Sequence, residues 1–237
     1  AEQIEIIDLL IEAPGRYKFN TLDAQVNLAG VNNSAPSAVQ FTFYEDIFKP
    51  YLTGDLLLLD QNNLLSKLNI LGTERVTIRY IEPGLESDII SKSFVITSIE
   101  QQSKNTDGEK LVSLELIEDF GYFNFLTTIN KGYSGKAEEI IDKIHKSEIG
   151  KYLLPQFDQE SYQNKMTYIA PWVKPYEATR RVLSQMTTEN GMPFFLYSTM
   201  NSTYNVLTDL ESIVKRGSFN AGQPFTYSVA LSAQERA

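Results

Sequence analysis

This 237-residue chain contains a single histidine, a residue type that commonly takes part in acid–base catalysis and metal binding. His145 lies beside Lys143 and Lys146 near the end of a predicted helix, without a serine or aspartate pattern next to it. One histidine supplies no histidine-based metal site, and a positive group in the last turn suits the helix dipole. We therefore interpret His145 as a structural residue and not as a catalytic one.

Two groups of carboxylates, within 115–119 and 138–142, could form acid/base pairs or bind a hard cation. On the predicted helix the second group lies away from the isoleucine stripe, where its acids can pair with the lysines one turn later. Glu115 alternates outward from a predicted strand. Both groups are therefore interpreted as solvated surfaces. They comprise Glu115, Glu118, Asp119, Glu138, Glu139 and Asp142.

The sequence lacks the short motifs that nucleotide, phosphate, zinc-peptidase, serine-hydrolase and EF-hand sites require. It also contains no cysteine, which excludes disulfides, thiolate metal sites and thiol catalysis. We expect no catalytic residue, no cofactor and no metal site.

The composition is that of a folded, acidic protein, with 42% hydrophobic and 22% charged residues. Its net charge of -9 argues against a nucleic-acid grip, which needs clustered lysine and arginine. No apolar run has the length of a membrane helix, and the start at Ala1 has no signal-peptide pattern. These features predict a soluble protein without membrane insertion.

A period-two alternation of apolar and polar residues dominates the chain up to Glu118, and it predicts half-buried antiparallel strands. Turn residues separate these strands. Two runs, 4–11 and 56–59, are apolar on both faces, so they are predicted to be covered on both sides or packed against another subunit. The alternating segments are 22–28, 39–43, 76–80 and 112–116.

Helical spacing begins after about residue 120. One helix is predicted between Ser134 as its N-cap and Gly150 as its end, with apolar residues at helical spacing at 137, 140, 141 and 144. A second should begin at Pro175, continue to Met186 and stop at 190–191. Short strands are predicted at 166–169, 194–197 and 204–207. The fold class is therefore α+β.

Two segments stand out by composition, and we call them the elbow (44–54) and the Pro-Trp box (171–178). In the elbow, proline interrupts a strand ladder and glycine permits a bulge or tight bend, so the chain could turn between the sheets of a barrel. In the box, prolines stiffen the approach to a helix and tryptophan is expected as an apolar anchor. The signature residues are Tyr44, Asp46, Phe48, Pro50, Gly54, Pro171, Trp172 and Pro175.

Together these segments resemble the baseplate hub protein of contractile-tailed phages, the subunit that links tail tube to central spike. The resemblance spans roughly residues 37–215 and depends on the order and spacing of several loose motifs. Besides the elbow and the box, they are 60–64, 70–74, 133–135, 194–197 and 204–210.

The resemblance implies an antiparallel β-barrel of the tail-tube type with an α+β insertion. The barrel would comprise 1–125, the insertion 126–212, and a return strand 213–237. It further implies a ring of hub subunits, normally a trimer, with the tail tube and spike proteins as partners. Double-stranded DNA would pass through the lumen without specific binding, and the subunit would assemble in the host cytoplasm into the virion tail. A full hub protein is usually longer, with a second barrel.

Three alternatives remain open. The chain could be another tube-initiating or baseplate wedge component. A tail-associated peptidoglycan hydrolase would need a glutamic acid with a raised pKa in a cleft, beside a second carboxylate. A receptor or carbohydrate-binding module would use exposed aromatic residues.

Overall fold

The computed structural model describes residues 5–12, 25–27, 38–60, 74–81, 89–104, 110–157 and 165–216.

Seven strands from the first half form one antiparallel sheet in the order β2-β1-β5-β6-β7-β4-β3. The alternating segments 39–43, 76–80 and 112–116 coincide with strands, so the prediction is confirmed for them. Of the segment 22–28, the described residues 25–27 form a strand. The strands are β1 Glu5–Glu12, β2 Gln25–Asn27, β3 Ala38–Tyr44, β4 Thr53–Asp60, β5 Arg75–Ile81, β6 Ile89–Lys104 and β7 Lys110–Glu118.

One face of this sheet carries the first hydrophobic core. Leu56 and Leu58 point into it, whereas Leu57 and Leu59 are only partly buried on the other face. The predicted two-faced apolar character of 56–59 is therefore real, but the described chain does not fully cover the second face. The core comprises Leu9, Ile11, Leu52, Leu56, Leu58, Val76, Ile78, Tyr80, Phe94, Ile96, Val112, Leu114 and Leu116.

The outermost strands of the sheet are β2 and β3. In the described ranges no pairing joins them, so closure into a barrel stays a prediction. The elbow joins β3 to β4, which are hydrogen-bonded neighbours. It is therefore a hairpin connection within one sheet, and the predicted turn between two sheets is wrong.

The second half mixes helices with two small sheets. Strands β8 and β10 pair antiparallel, while β12 lies between antiparallel β11 and parallel β9. The helices are α1 Asp119–Leu126, α2 Ala137–Ile144, α3 Pro175–Leu183 and α4 Leu210–Arg216, with a π-helical turn at His145–Ile149. The strands are β8 Ile129–Gly135, β9 Leu153–Pro155, β10 Met166–Val173, β11 Phe194–Tyr197 and β12 Asn205–Asp209. The α+β class and three predicted short strands are confirmed.

The ends of the helices differ from the prediction. Ser134 lies in β8 and is not an N-cap; the cap is Lys136, whose backbone N–H donates to Glu139 Oε2 at 3.2 Å. Gly150 does end the first helical segment, with a left-handed φ of 76°. The second helix stops at Leu183 and not at Met186, because the chain there tightens into i→i−3 hydrogen bonds.

A second core lies between α2, α3 and the small sheets. The stripe Ile140, Ile141 and Ile144 of α2 is fully buried in it. The boundaries at residues 125 and 212 stay predictions. The first residues of the predicted return strand, 213–216, end α4, and the rest of it lies outside the described residues. No helix in the described ranges is long and apolar enough to cross a bilayer.

Gly54 is required by a close backbone approach and not by a bulge, because its pairing with Phe43 is regular. A Cβ atom there would lie 2.6 Å from the carbonyl oxygen of Thr42. We predict that Gly54→Ala lowers the free energy of unfolding by about 1–3 kcal/mol, measured by urea denaturation. Gly132→Ala is the control, since a Cβ there meets nothing within 4 Å. Equal effects of the two substitutions would contradict this explanation.

Candidate functional site

A buried carboxylate at the end of β7 joins the large sheet to the helical half. Glu118 Oε1 accepts hydrogen bonds from Lys151 Nζ at 2.5 Å and from Lys92 Nζ at 3.4 Å. Its other oxygen accepts from Ser198 Oγ at 2.8 Å and from the backbone N–H of Leu52 at 3.0 Å. Each of the three charged side chains is at most 3% exposed. We call Glu118, Lys92 and Lys151 the charge triad.

The triad holds two lysines against one glutamate. Burial alone would raise the pKa of Glu118, but the ammonium groups of Lys151 and Lys92 hold it below its ordinary value. Burial lowers the pKa of Lys151 to about 8 despite its contact with Glu118, and the positive charge of Lys92 acts in the same direction. Burial likewise lowers the pKa of Lys92. The Glu118 carboxylate is therefore ionised. Because two buried lysines share one counter-charge, the second positive charge lowers the free energy of unfolding.

The interpretation of Glu118 and Asp119 as solvated surface is wrong. Glu118 is 1% exposed, and Asp119 is mostly buried with Arg75 Nη2 at 3.7 Å from its Oδ2. Glu115 does point outward as predicted, and Asp142 does pair with Lys146 at 2.7 Å. The triad could not be found from local spacing, because its lysines lie 26 and 33 residues from the glutamate.

His145 lies fully buried at the start of the π-helical turn, with its ring centroid 5.5 Å from that of Tyr176. Burial, helped by the charge of Lys151, lowers the pKa of His145 to about 3. The imidazole is therefore neutral, and the predicted role as a positive group on the helix dipole is wrong. Its structural role as part of the packed interior is consistent with its position.

A groove lies between the elbow and helix α3, with a volume of about 610 Å³. Two hydrogen bonds hold the elbow in place. Pro50 O accepts from Asn205 Nδ2 at 2.9 Å, and within the elbow Asp46 Oδ1 accepts from the backbone N–H of Phe48 at 2.9 Å. We call this the elbow groove. Its lining comprises Asp46, Phe48, Lys49, Pro50, Tyr51, Asn124, Lys174, Tyr176, Glu177, Thr179, Arg180, Leu183 and Leu196.

Helix α3 forms the opposite wall of the elbow groove. Pro175 begins this helix, as predicted, and the backbone N–H of Tyr176 donates to Asn124 Oδ1 at 2.9 Å. The ring of Tyr51 stacks on that of Tyr176, with centroids 5.7 Å apart and an interplanar angle of 18°. The elbow and the end of the Pro-Trp box, distant in sequence, thus meet in one site.

The predicted signature residues lie in three different places in the structure. Asp46, Phe48 and Pro50 line the elbow groove, and Pro175 starts its helical wall. Tyr44 and Gly54 lie at the strand ends of the hairpin, where Tyr44 Oη donates to Asp55 Oδ2 at 2.7 Å. Pro171 and Trp172 do not line the groove.

Trp172 is not an apolar anchor: its side chain is 73% exposed and its φ is 53°. It lies at a register shift between β10 and β8, and a left-handed φ is strained for a bulky residue. Thr179, Arg180 and Leu183 were missed as site residues. Their helical spacing after Pro175 is the signal that could have grouped them.

Comparisons with known proteins find similarity at the level of the fold. No family model and no curated protein matches this sequence. The 43 kDa tail protein of prophage MuSo2 from Shewanella oneidensis superposes with a TM-score of 0.50 and 12% identity, over 85% of this chain and 54% of that one. The chain has the fold of a phage tail protein. The resemblance predicted from the sequence is thereby confirmed for the fold.

Two further solved structures are similar at lower scores. A tail protein from Neisseria meningitidis MC58 has a TM-score of 0.47 and 12% identity, over 84% of this chain and 49% of that one. A type VI secretion system component of E. coli has a TM-score of 0.40 and 10% identity, over 73% of this chain and 45% of that one. The chain spans about half the length of these proteins.

No group of three or more histidine or acidic side chains in the described ranges is arranged to hold a metal ion. The charge triad is too enclosed to contact a substrate. The arrangement is therefore suited to fixing two parts of the chain to each other, with a groove between them.

We predict that Glu118→Gln lowers the free energy of unfolding by about 3–5 kcal/mol at pH 7, because two buried lysines lose their counter-charge. The loss should shrink as the pH rises towards about 8, the pKa of Lys151 in the folded wild-type protein. Without the Glu118 carboxylate the folded variant releases its lysine protons at lower pH than the folded wild type, so over that range its free energy of unfolding rises while that of the wild type does not yet change. Chemical denaturation at several pH values measures this.

Glu100→Gln is the matched control, since Glu100 is exposed on β6, and it should change the free energy of unfolding by less than about 0.5 kcal/mol. A pH-independent loss in Glu118→Gln would contradict the role given to the lysines.

We also predict that the imidazole signal of His145 does not titrate between pH 7 and 4.5 in the folded protein, because its pKa is about 3. NMR of the single histidine needs no assignment. In the unfolded chain the histidine takes up a proton near pH 6.5, which the buried imidazole of the folded protein does not. The free energy of unfolding should therefore fall as the pH drops below that value. Protein unfolded in urea is the control, and an inflection near pH 6.5 in the folded protein would disprove burial.

Proposed function

We propose that this chain is a structural subunit of a phage tail baseplate, a hub subunit that joins the tail tube to the central spike. The observation that carries the proposal is the fold shared with the MuSo2 tail protein over 85% of the chain. Tail function and fold coincide in that protein, and the elbow and box motifs favour the hub among tail components. Another tube-initiating or wedge component remains the second candidate.

The proposal includes closure of the seven-stranded sheet into a barrel and assembly of subunits into a ring, normally a trimer. It is supported by the partly exposed apolar residues on the second face of β1 and β4, namely Leu10, Leu57 and Leu59. Neighbouring subunits would cover such residues, and a closed ring would leave no free sheet edge.

We further propose that double-stranded DNA passes through the ring without specific binding. The net charge of -9 supports this, because an acidic lumen repels phosphates. The subunit would take its place in the virion tail after assembly in the host cytoplasm, with the tube and spike proteins as its partners.

The proposal assigns no catalytic role to the chain. A glycoside-cleaving acid needs a raised pKa and access to substrate. Glu118 has a lowered pKa and is 1% exposed. Burial raises the pKa of Asp119, but its carboxylate faces Arg75 at 3.7 Å. These properties favour a structural function over a peptidoglycan hydrolase.

Mass measurement tests the proposal. The purified protein, alone and mixed with the tail-tube protein of the same phage, should form threefold or sixfold species in native mass spectrometry. Glu118→Gln serves as an internal check, since loss of the junction between sheet and helical half should reduce assembly as well as stability. A strictly monomeric protein that binds neither tube nor spike protein would overturn the proposed function.

A further inference from the structure

We propose that the elbow groove of one copy binds the outer sheet face around Asp55 and Glu115 of a second copy of this chain. The proposal rests on the proposed function, because it names the surfaces through which two subunits meet. Its basis is that one chain carries two cations in a groove and two carboxylates on a sheet face, all four without an ion pair among the described residues.

The elbow groove holds an excess of positive charge. Lys49 pairs with Asp46 at 3.5 Å, and Glu177 pairs with Arg181, so these charges cancel. Within the described ranges, Lys174 Nζ donates only to neutral oxygens, Phe125 O at 2.8 Å and Thr128 Oγ1 at 3.3 Å. The guanidinium of Arg180 is exposed at the groove wall.

The floor of the groove also leaves a hydrogen-bonding group unused. Thr179 lines the groove and is 1% exposed, and its hydroxyl has no partner in the described part of the chain. Phe48, by contrast, is 76% exposed at the rim, with its ring centroid 5.9 Å from that of Phe195. The groove therefore offers cations and an aromatic rim to a partner that has carboxylates beside apolar side chains.

The outer face of the sheet has that chemistry. Asp55 on β4 and Glu115 on β7 are direct cross-strand partners and point to the same face. Like charges directly opposite each other destabilise a sheet. Asp55 accepts a hydrogen bond from the neutral phenol of Tyr44, whose pKa this bond raises. Among the residues that the structure describes, no cation forms an ion pair with Asp55 or Glu115. The half-buried Leu57 lies beside them in a depression of about 270 Å³.

Charge complementarity favours a second copy as the occupant. A chain with a net charge of -9 repels itself over most of its surface, so a local match of two cations with two carboxylates would select one contact. Since groove and face are different patches, the contact is heterologous and can close a ring.

A charge-reversal series tests the proposal by sedimentation velocity at low salt. The wild-type protein should self-associate, and added salt should weaken the association. Arg180→Glu and Glu115→Arg should each weaken it at least about tenfold, whereas the double variant should restore it, because the contact is then reversed and not lost. Lys165→Glu is the control: it makes the same charge change on an exposed residue outside the groove lining.

Each outcome decides the proposal. Restoration in the double variant supports it. The proposal is overturned if Arg180→Glu weakens self-association no more than Lys165→Glu does. It is also overturned if the double variant self-associates as weakly as the sum of the two single effects predicts. Wild type that self-associates with unaffected variants overturns this contact and leaves the proposed function standing. Wild type that stays monomeric but binds the tube protein has the same meaning, whereas a monomer that binds no tail protein overturns both.

Discussion

The carboxylate of Glu118 is the constraint on which the arrangement of the two halves depends. It lies where β7 ends and α1 begins, and it accepts hydrogen bonds from groups in four other segments. These are Lys92 on β6, Leu52 in the elbow, Lys151 after the π-helical turn and Ser198 after β11. A buried charge without hydrogen-bond partners is energetically costly in a low-dielectric interior. Other arrangements of the four segments would leave Glu118 without these partners and are therefore disfavoured.

The elbow groove follows from this constraint. The Glu118 bond to the N–H of Leu52 fixes the end of the elbow, and Asn205 fixes its proline through the Pro50 carbonyl. On the other side, the left-handed Gly150 brings Lys151 back under the π-helical turn towards Glu118. Tyr51 and Tyr176 then stack across the junction. The groove thus has rigid walls, which a binding surface needs if recognition is to be specific.

The sequence could predict those parts of the fold that local patterning determines. Strand alternation located β3, β5 and β7, and the isoleucine stripe located α2, because one-sided burial leaves its period in the chain. His145 was misplaced because the lysines at 143 and 146 suggested an exposed last turn, whereas its i+4 spacing from the buried Ile141 puts it on the packed face of the helix. Glu118 and Trp172 were missed for different reasons. The first depends on partners from distant segments, and the second on a backbone bulge that leaves its ring in solvent.

The candidate site was partly predictable, because the elbow and the box were singled out by composition before their contact was known. The surface charge of these segments could not be derived from residue spacing. It depends on which charged side chains form ion pairs within the chain and which do not. Glu177 and Asp46 are paired with neighbouring cations. In the described part of the chain, no ion pair includes Arg180, Lys174, Asp55 or Glu115. The tail protein that shares the fold is only 12% identical to this chain. In the proposed contact, specificity between copies would reside in these unpaired surface charges.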